Sequence, residues 1–462
     1  MYEKILMRTQ LTVKLIPQYI KRHLSERAEL RRIFSNISWL IVDNVINLLA
    51  GLIVGAMVAR YLGPTSYGLY NYALAYIAIF SSIVGLGLRD IVIRDIVQSP
   101  KGKYSLLGTT FILQFITSLV IVGVLISIAS FINPESTVFR YLIGIISGIL
   151  VFQTVSETLD YWFQSQIQSK FTVWAKNIAL VLIAIVKIIL ILKEAPLVAF
   201  AWAMLIQMIV FSVILAILYA WRGELLFKWR FKFQITKDLL KDSWPLIISN
   251  FAIILYMKFG QIMLGNLSDI ETLGVYSAAI RLSELWYFIP IALASSFFPS
   301  IVRSKEGMSK KDYRKRMQSF YDLMVGIAYI IAVGLTLIAP ILVITLFGKD
   351  YVDAIPILRI HIWAFIFVTI GIARSRWLIA ENMTKFAMVS AVLGAVSNIG
   401  LNYWLIPLYG GLGAAWATII SYAVSGYLST IILKQLWPVF GQLTLSLFVP
   451  FRIPKILMSI TK

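Results

Sequence analysis

The stretch Ala59–Ala73, ARYLGPTSYGLYNYA, sets Gly-Pro and then Tyr-Gly between two long apolar runs. Leu264–Ala279, LGNLSDIETLGVYSAA, has the same design about two hundred residues later. The runs on either side are continuous rather than alternating, so they read as helices and not as strands of a closed barrel. Each is about the 20 residues a helix needs to cross the bilayer's hydrocarbon.

Working outward from these two turns, twelve membrane helices are expected, at 36–60, 68–88, 106–131, 139–162, 172–192, 196–220, 244–265, 272–298, 320–347, 354–379, 385–406 and 412–433. Composition agrees. The chain has 462 residues, 59% of them hydrophobic and 14% charged, with a mean hydropathy of +0.83. Soluble domains carry about 25% charged residues. There is no cysteine, so disulfides and thiolate chemistry are excluded, and two histidines are too few for a His-rich metal site. No Gly-Lys-Ser/Thr phosphate loop occurs, so ATP is not expected as a cofactor.

Charge sets the expected orientation. With the N-terminus inside, 31 of the 42 Lys and Arg fall in cytoplasmic segments, and only Arg60, Arg140, Lys193 and Lys349 fall in outer loops. The expectation is a multi-pass protein of the cytoplasmic (inner) membrane with both termini in the cytoplasm. The net charge of +20 is then mostly topological and does not imply nucleic acid. Residues 1–35, with eight basic residues and no cleavage site, read as a basic cytoplasmic or interfacial segment against anionic lipid.

The chain repeats itself. YWFQSQIQSKF (Tyr161–Phe171) aligns with RWLIAENMTKF (Arg376–Phe386) at an offset of 215, FAWAM (Phe200–Met204) with AAWAT (Ala414–Thr418) at 214, and the opening pair at 206. Six helices separate the copies, and six is even, so both halves enter the membrane in the same direction. That gives two six-helix lobes related by a pseudo-two-fold along the membrane normal. The lobes are expected at 36–220 and 244–435, joined by a cytoplasmic linker at 221–243 and followed by an interfacial tail at 436–462.

Four segments carry a family resemblance: ARYLGPTSYGLYNYALA, GLGLRDIVIRDI, YSAAIRLSELWYFIPIALASSFFPSIVR and KFAMVSAVLGAVSNIGLNYWLIPLYGGLGAAWATIISY. In these the chain resembles the polysaccharide (Wzx-type, O-antigen) flippases of the MOP superfamily, over nearly its whole length. The resemblance implies an all-α, MATE-like integral membrane fold with an alternating-access cavity. It also implies a substrate, a polyprenyl-pyrophosphate-linked oligosaccharide moved from the cytoplasmic to the outer leaflet. Membrane lipids and a polysaccharide polymerase or glycosyltransferase complex are the implied partners. The alternatives are a MATE-like cation-coupled exporter, a peptidoglycan-precursor flippase and, third, a membrane polymerase or ligase. No large loop, nucleotide motif or paired catalytic carboxylates favour an enzyme.

Ionisable groups inside a membrane cost about 2.5–3.5 kcal/mol each, which makes them functional candidates. Arg281 and Lys258, on neighbouring antiparallel helices, are expected to hold the substrate headgroup, and Arg89 and Arg94 to receive it at the cytoplasmic face. Asp43, beside Asn44 and Asn47, and Glu284 are candidates for coupling to Na⁺ or H⁺. In the alternative reading Glu284 merely neutralises Arg281, one turn away. Glu157 and Asp160 in the first lobe align with positions next to Arg374 and Arg376 in the second, and are expected to pair across the cleft and close an inner gate when the carrier faces outward.

Overall fold

A computed structural model of the chain describes residues 18–132, 136–381, 383–432 and 434–452. Side chains are described from Gly51 onward, except at 132, 299–300, 302–307, 380 and 384. Contacts divide the chain into two units, 1–47 and 48–462. The first is helical from Gln18, and its expected basic segment lies outside the described residues as far as residue 17. The remainder of this section concerns 48–462.

The helices are α1 (Gln18–Val84), α2 (Arg89–Gln98), α3 (Lys103–Ile132), α4 (Thr137–Ser165), α5 (Lys170–Leu192), α6 (Leu197–Trp221) and α7 (Phe233–Leu267). They are followed by α8 (Ile270–Glu284), α9 (Phe288–Gly307), α10 (Lys310–Phe347), α11 (Ala354–His361), α12 (Ala364–Ala380), α13 (Thr384–Gly426) and α14 (Trp437–Leu447). Among the described residues, nine helical segments are long and apolar enough to cross a membrane. The twelve expected spans all have helical counterparts. Two of the nine runs leave helical geometry at Gly63 (φ 71°) and Gly410 (φ 52°), so each supplies two spans joined by a turn. The eighth span is broken by a turn at Leu285–Tyr287 into α8 and α9, and the tenth into α11 and α12. The tail contributes α14, whose Val439 and Leu443 are buried in a cluster with Met317, Tyr321 and Val325 of α10.

The internal duplication is visible in the backbone. After α4, Gln166 N–H donates to Trp162 C=O, Gln168 N–H to Phe163 C=O and Phe171 N–H to Gln168 C=O. After α12, Glu381 donates to Trp377, Met383 to Leu378 and Phe386 to Met383. Every donor and acceptor is displaced by the same 215 residues read from the sequence. The opening stretches meet directly. A Cβ placed on Gly68 would strike the carbonyl oxygen of Ile270, and one on Gly274 would strike that of Pro64. Those four residues pair at the single offset of 206, and the contact is reciprocal, as it must be across a two-fold axis.

The lobes meet unequally at their two ends. At the end bearing the Gly63, Ser268 and Gly410 turns, one core takes Tyr67, Tyr72 and Ile146 from the first half and Leu273, Ala279 and Tyr351 from the second. Tyr72 OH donates to Asn266 Oδ1 at 2.8 Å and Tyr351 OH to the Ala59 carbonyl at 2.7 Å. At the opposite end, bearing the Gln166 turn, the cores separate into one around Trp162, Phe163 and Phe171 and another around Tyr321, Phe365 and Ala373. The seam is sealed at the Gly63 end and parted at the Gln166 end except along α7, where Gly87 packs against Leu246 and Ile247.

Candidate functional site

Two cavities follow one another along α1 after Gly63. Leu74 lines the first and Ala78, one helical turn further on, lines the second.

The first cavity encloses about 220 Å³. Arg281 of α8 reaches into it from the second half of the chain and meets Lys187 of α5, with Tyr67, Tyr70 and Gln207 also on the wall. Two glycines seat the guanidinium. Nη2 donates to the Gly51 carbonyl at 2.6 Å, and the space a Gly55 side chain would need is filled by the guanidinium itself. Neither Arg281 nor Lys187 forms an ion pair among the described residues. The Tyr67 hydroxyl, buried on the same wall, has no hydrogen-bond partner among the described residues. Two cations and a phenol donor in a small, mostly apolar enclosure are the chemistry of an anion site.

Lys187 is a lining residue that the sequence did not single out. Lys258, expected beside Arg281, instead donates to Glu284 Oε2 at 3.0 Å, with both side chains about a fifth exposed. That pair joins α7 to α8. Glu284 is therefore the partner of Lys258 and not of Arg281. His361 Nδ1 lies 2.9 Å from Ser283 Oγ, next to Glu284 in the chain.

The second cavity, about 730 Å³, lies where the lobes part. It is lined by Arg89, Asp90, Gln153, Glu157, Asp160, Gln164 and Asn250, among others. Glu157 Oε1 accepts from Gln153 Nε2 at 2.6 Å and its Oε2 from Tyr161 OH at 3.1 Å. Asp160 accepts from Gln164 Nε2 at 2.5 Å. Arg94 lies apart from this lining, exposed, at 2.8 Å from Asp95 and 3.4 Å from Asp242. The sequence's inner-gate residues are not brought together. Arg374 is buried and donates to Ser429 Oγ at 2.7 Å, while Arg376 donates to Ser295 Oγ at 3.2 Å. Asp43 lies on α1, but its side chain is outside the described residues. No group of three or more potential metal-ligating side chains occurs among the described residues.

Residues 57–356 match the family described as polysaccharide biosynthesis protein. A putative O-antigen transporter of Shigella flexneri is 23% identical over 422 residues, covering 88% of this chain and 97% of the relative. The inward-facing conformation of a multidrug resistance MATE family transporter of the MOP superfamily superposes with a TM-score of 0.71 at 16% identity, covering 86% of this chain and 94% of the other. The lipid II flippase MurJ, in an inward closed conformation, superposes with a TM-score of 0.69 at 17% identity, covering 92% and 93%. At those identities the structural likenesses establish the fold.

Proposed function

The chain belongs to the polysaccharide biosynthesis protein family of MOP-superfamily flippases, and from that premise we propose that it carries a polyprenyl-diphosphate-linked oligosaccharide between the leaflets by alternating access. It is a transporter in kind and not a catalyst, as its relatives and structural neighbours are. The single observation that carries the substrate assignment is the cavity holding Arg281 and Lys187. A diphosphate brings at least two negative charges out of water, and two cations in a low-dielectric enclosure offset that desolvation. Arg281 can grip phosphate oxygens with two parallel N–H bonds, while Lys187 acts as a point charge. A lipophilic cation, the load of a drug exporter, would meet both as like charges.

The charge asymmetry supports a cytoplasmic-membrane protein whose parted, Gln166 end faces the cytoplasm, with both termini on that side. Loading then occurs from inside and release outside, after the Gly63 end opens. The chain lacks a nucleotide-binding run, so the return stroke is assigned to an ion gradient, of Na⁺ or H⁺. Asp43 is a candidate carboxylate for that coupling; Glu284 would have to leave Lys258 to serve. Asp160 and Arg376 are the proposed gate pair, meeting when the parted end closes. A polysaccharide polymerase or glycosyltransferase is the proposed source or recipient of the load.

Reconstitution into vesicles tests the reading. Wild-type chain should move a polyprenyl-diphosphate oligosaccharide between leaflets, and Arg281→Ala should reduce that movement by about a hundredfold, the loss of a buried charge-assisted contact. Movement of a lipophilic cation in place of the lipid, or full activity in Arg281→Ala, would overturn it.

A further inference from the structure

We infer that the second cavity is a saccharide-binding subsite, distinct from the cationic pocket, in which side chains of α4 and α7 hydrogen-bond the glycan of the load. The inference rests on the flippase reading and names which part of the substrate this cavity takes.

Charge is the first argument. Among the described residues, Asp90, Glu157 and Asp160 face the cavity with Arg89 as the one cationic lining residue. A lining with more carboxylates than cations repels a diphosphate, so the phosphates are not held here. Hydroxyl donors suit it well, because an O–H bonded to a carboxylate is shorter and stronger than one bonded to a neutral acceptor.

Preorganisation is the second. Ser81 Oγ donates to Gln153 Oε1 at 3.1 Å, Gln153 donates to Glu157, Tyr161 donates to Glu157, and Gln164 donates to Asp160. Gln114, fully buried behind the wall, adds a bond from Nε2 to the Gly85 carbonyl at 3.1 Å and lies 3.3 Å from Tyr161 OH. The planar amides and carboxylates are thus fixed by one another, while each keeps lone pairs or N–H groups for a ligand. Directional groups of this kind, held without a ligand, distinguish one hydroxyl arrangement from another.

Size and place are the third. The 730 Å³ of this cavity falls in the usual range for ligand sites, about 300–1,000 Å³, whereas the cationic pocket is smaller and suits a compact charged group. The two lie about 6 Å apart along α1, the rise of four helical residues from Leu74 to Ala78. One molecule carrying a diphosphate and a sugar chain can span both.

The test uses the purified full chain and two probes. One is polyprenyl diphosphate without sugar, and the other is the lipid-linked oligosaccharide pool extracted from cells that make this chain. Wild type is expected to bind the sugar-bearing probe about tenfold more tightly. The double variant Gln164→Leu/Asn250→Leu should lose that preference and keep its affinity for the bare diphosphate, and the more conservative Gln164→Glu should keep part of the preference. Equal binding of both probes by wild type overturns the subsite and leaves the flippase reading standing. So does an equal loss for both probes in the double variant, or displacement of the sugar-bearing probe by the cation tetraphenylphosphonium. Binding of neither probe by wild type sinks the flippase reading itself.

Discussion

Gly68 and Gly274 face each other across the seam of the two halves, each occupying space that the other's helix leaves only to a glycine. The backbones approach so closely that any side chain must push the helices apart, which is how small residues govern packing inside membranes. The contact lies at the Gly63 end, so opening that end requires the two helices to separate here.

Gly68→Val should therefore hold the Gly63 end ajar and lower transport by about tenfold or more. The chain has no cysteine, so Ala279→Cys is a clean reporter. It should stay shielded from a maleimide in the otherwise wild-type chain, where Ala279 is fully buried, and react in the Gly68→Val background. Equal shielding in both would refute this account of the seam.

Lys258 and Glu284 should behave as a coupled pair. Lys258→Met leaves a partly buried carboxylate without its partner and is expected to cost about 1–3 kcal/mol. Glu284→Gln in the same chain should recover most of that loss. A double-mutant cycle on detergent-solubilised protein, read as melting temperature, measures the coupling. Strict additivity of the two changes would show the pair to contribute nothing.

The two lysines of α5 should differ. Lys187 lines the cationic pocket and Lys176 is exposed. Lys187→Gln should weaken diphosphate binding by about tenfold, and Lys176→Gln should leave it unchanged. Equal effects would place both at the lipid surface.

Acid should loosen one turn selectively. Asp269, in the turn between α7 and α8, accepts from Thr272 N–H at 2.7 Å and Thr272 Oγ1 at 2.7 Å. Partial burial pushes its carboxyl upward, but the bonds from Thr272, Ser268 and the backbone outweigh that and hold it below the usual carboxylate range. A depressed folded-state value means the cap's contribution is complete above the unfolded value, near pH 4, and fades as pH falls further. Asp269→Ala should cost about 1 kcal/mol at neutral pH and progressively less below pH 4, as melting curves across pH would report.

Exchanging the signs of Asp160 and Arg376 tests the inner gate. Each reversal alone should cripple lipid movement, and the double exchange should restore part of it. A double variant as inactive as either single one would exclude the pairing.

Much of this architecture was legible in the sequence, because hydrocarbon thickness fixes span length and the duplication left an aligned register. The twelve spans and the offsets of 206 and 215 needed nothing more. The helix faces were not legible. In a soluble protein an apolar stripe marks the core, but lipid is as apolar as packed protein, so α5 shows no stripe that tells Lys187 from Lys176. Glu284 was equally ambiguous. Spacing along α8 offered Arg281 one turn away, whereas the side chain turns to Lys258 on α7, and only the packing of the two helices decides between them. The break at Leu285–Tyr287 had a signal in Pro290, which opens the next helix, whereas the one at 362–363 has no Gly or Pro to mark it.

The carboxylates around the larger cavity bear on leakage. In the proposed orientation, a carrier opening to the cytoplasm exposes its interior to abundant free nucleotides and inorganic phosphate, which the deeper Arg281–Lys187 pocket would otherwise attract. Asp90, Glu157 and Asp160 stand between that pocket and the opening. A small anion with no hydroxyl-rich chain to engage them meets mainly repulsion on its way in, so the same rim that greets the correct cargo would guard the cell's phosphate pool against accidental export.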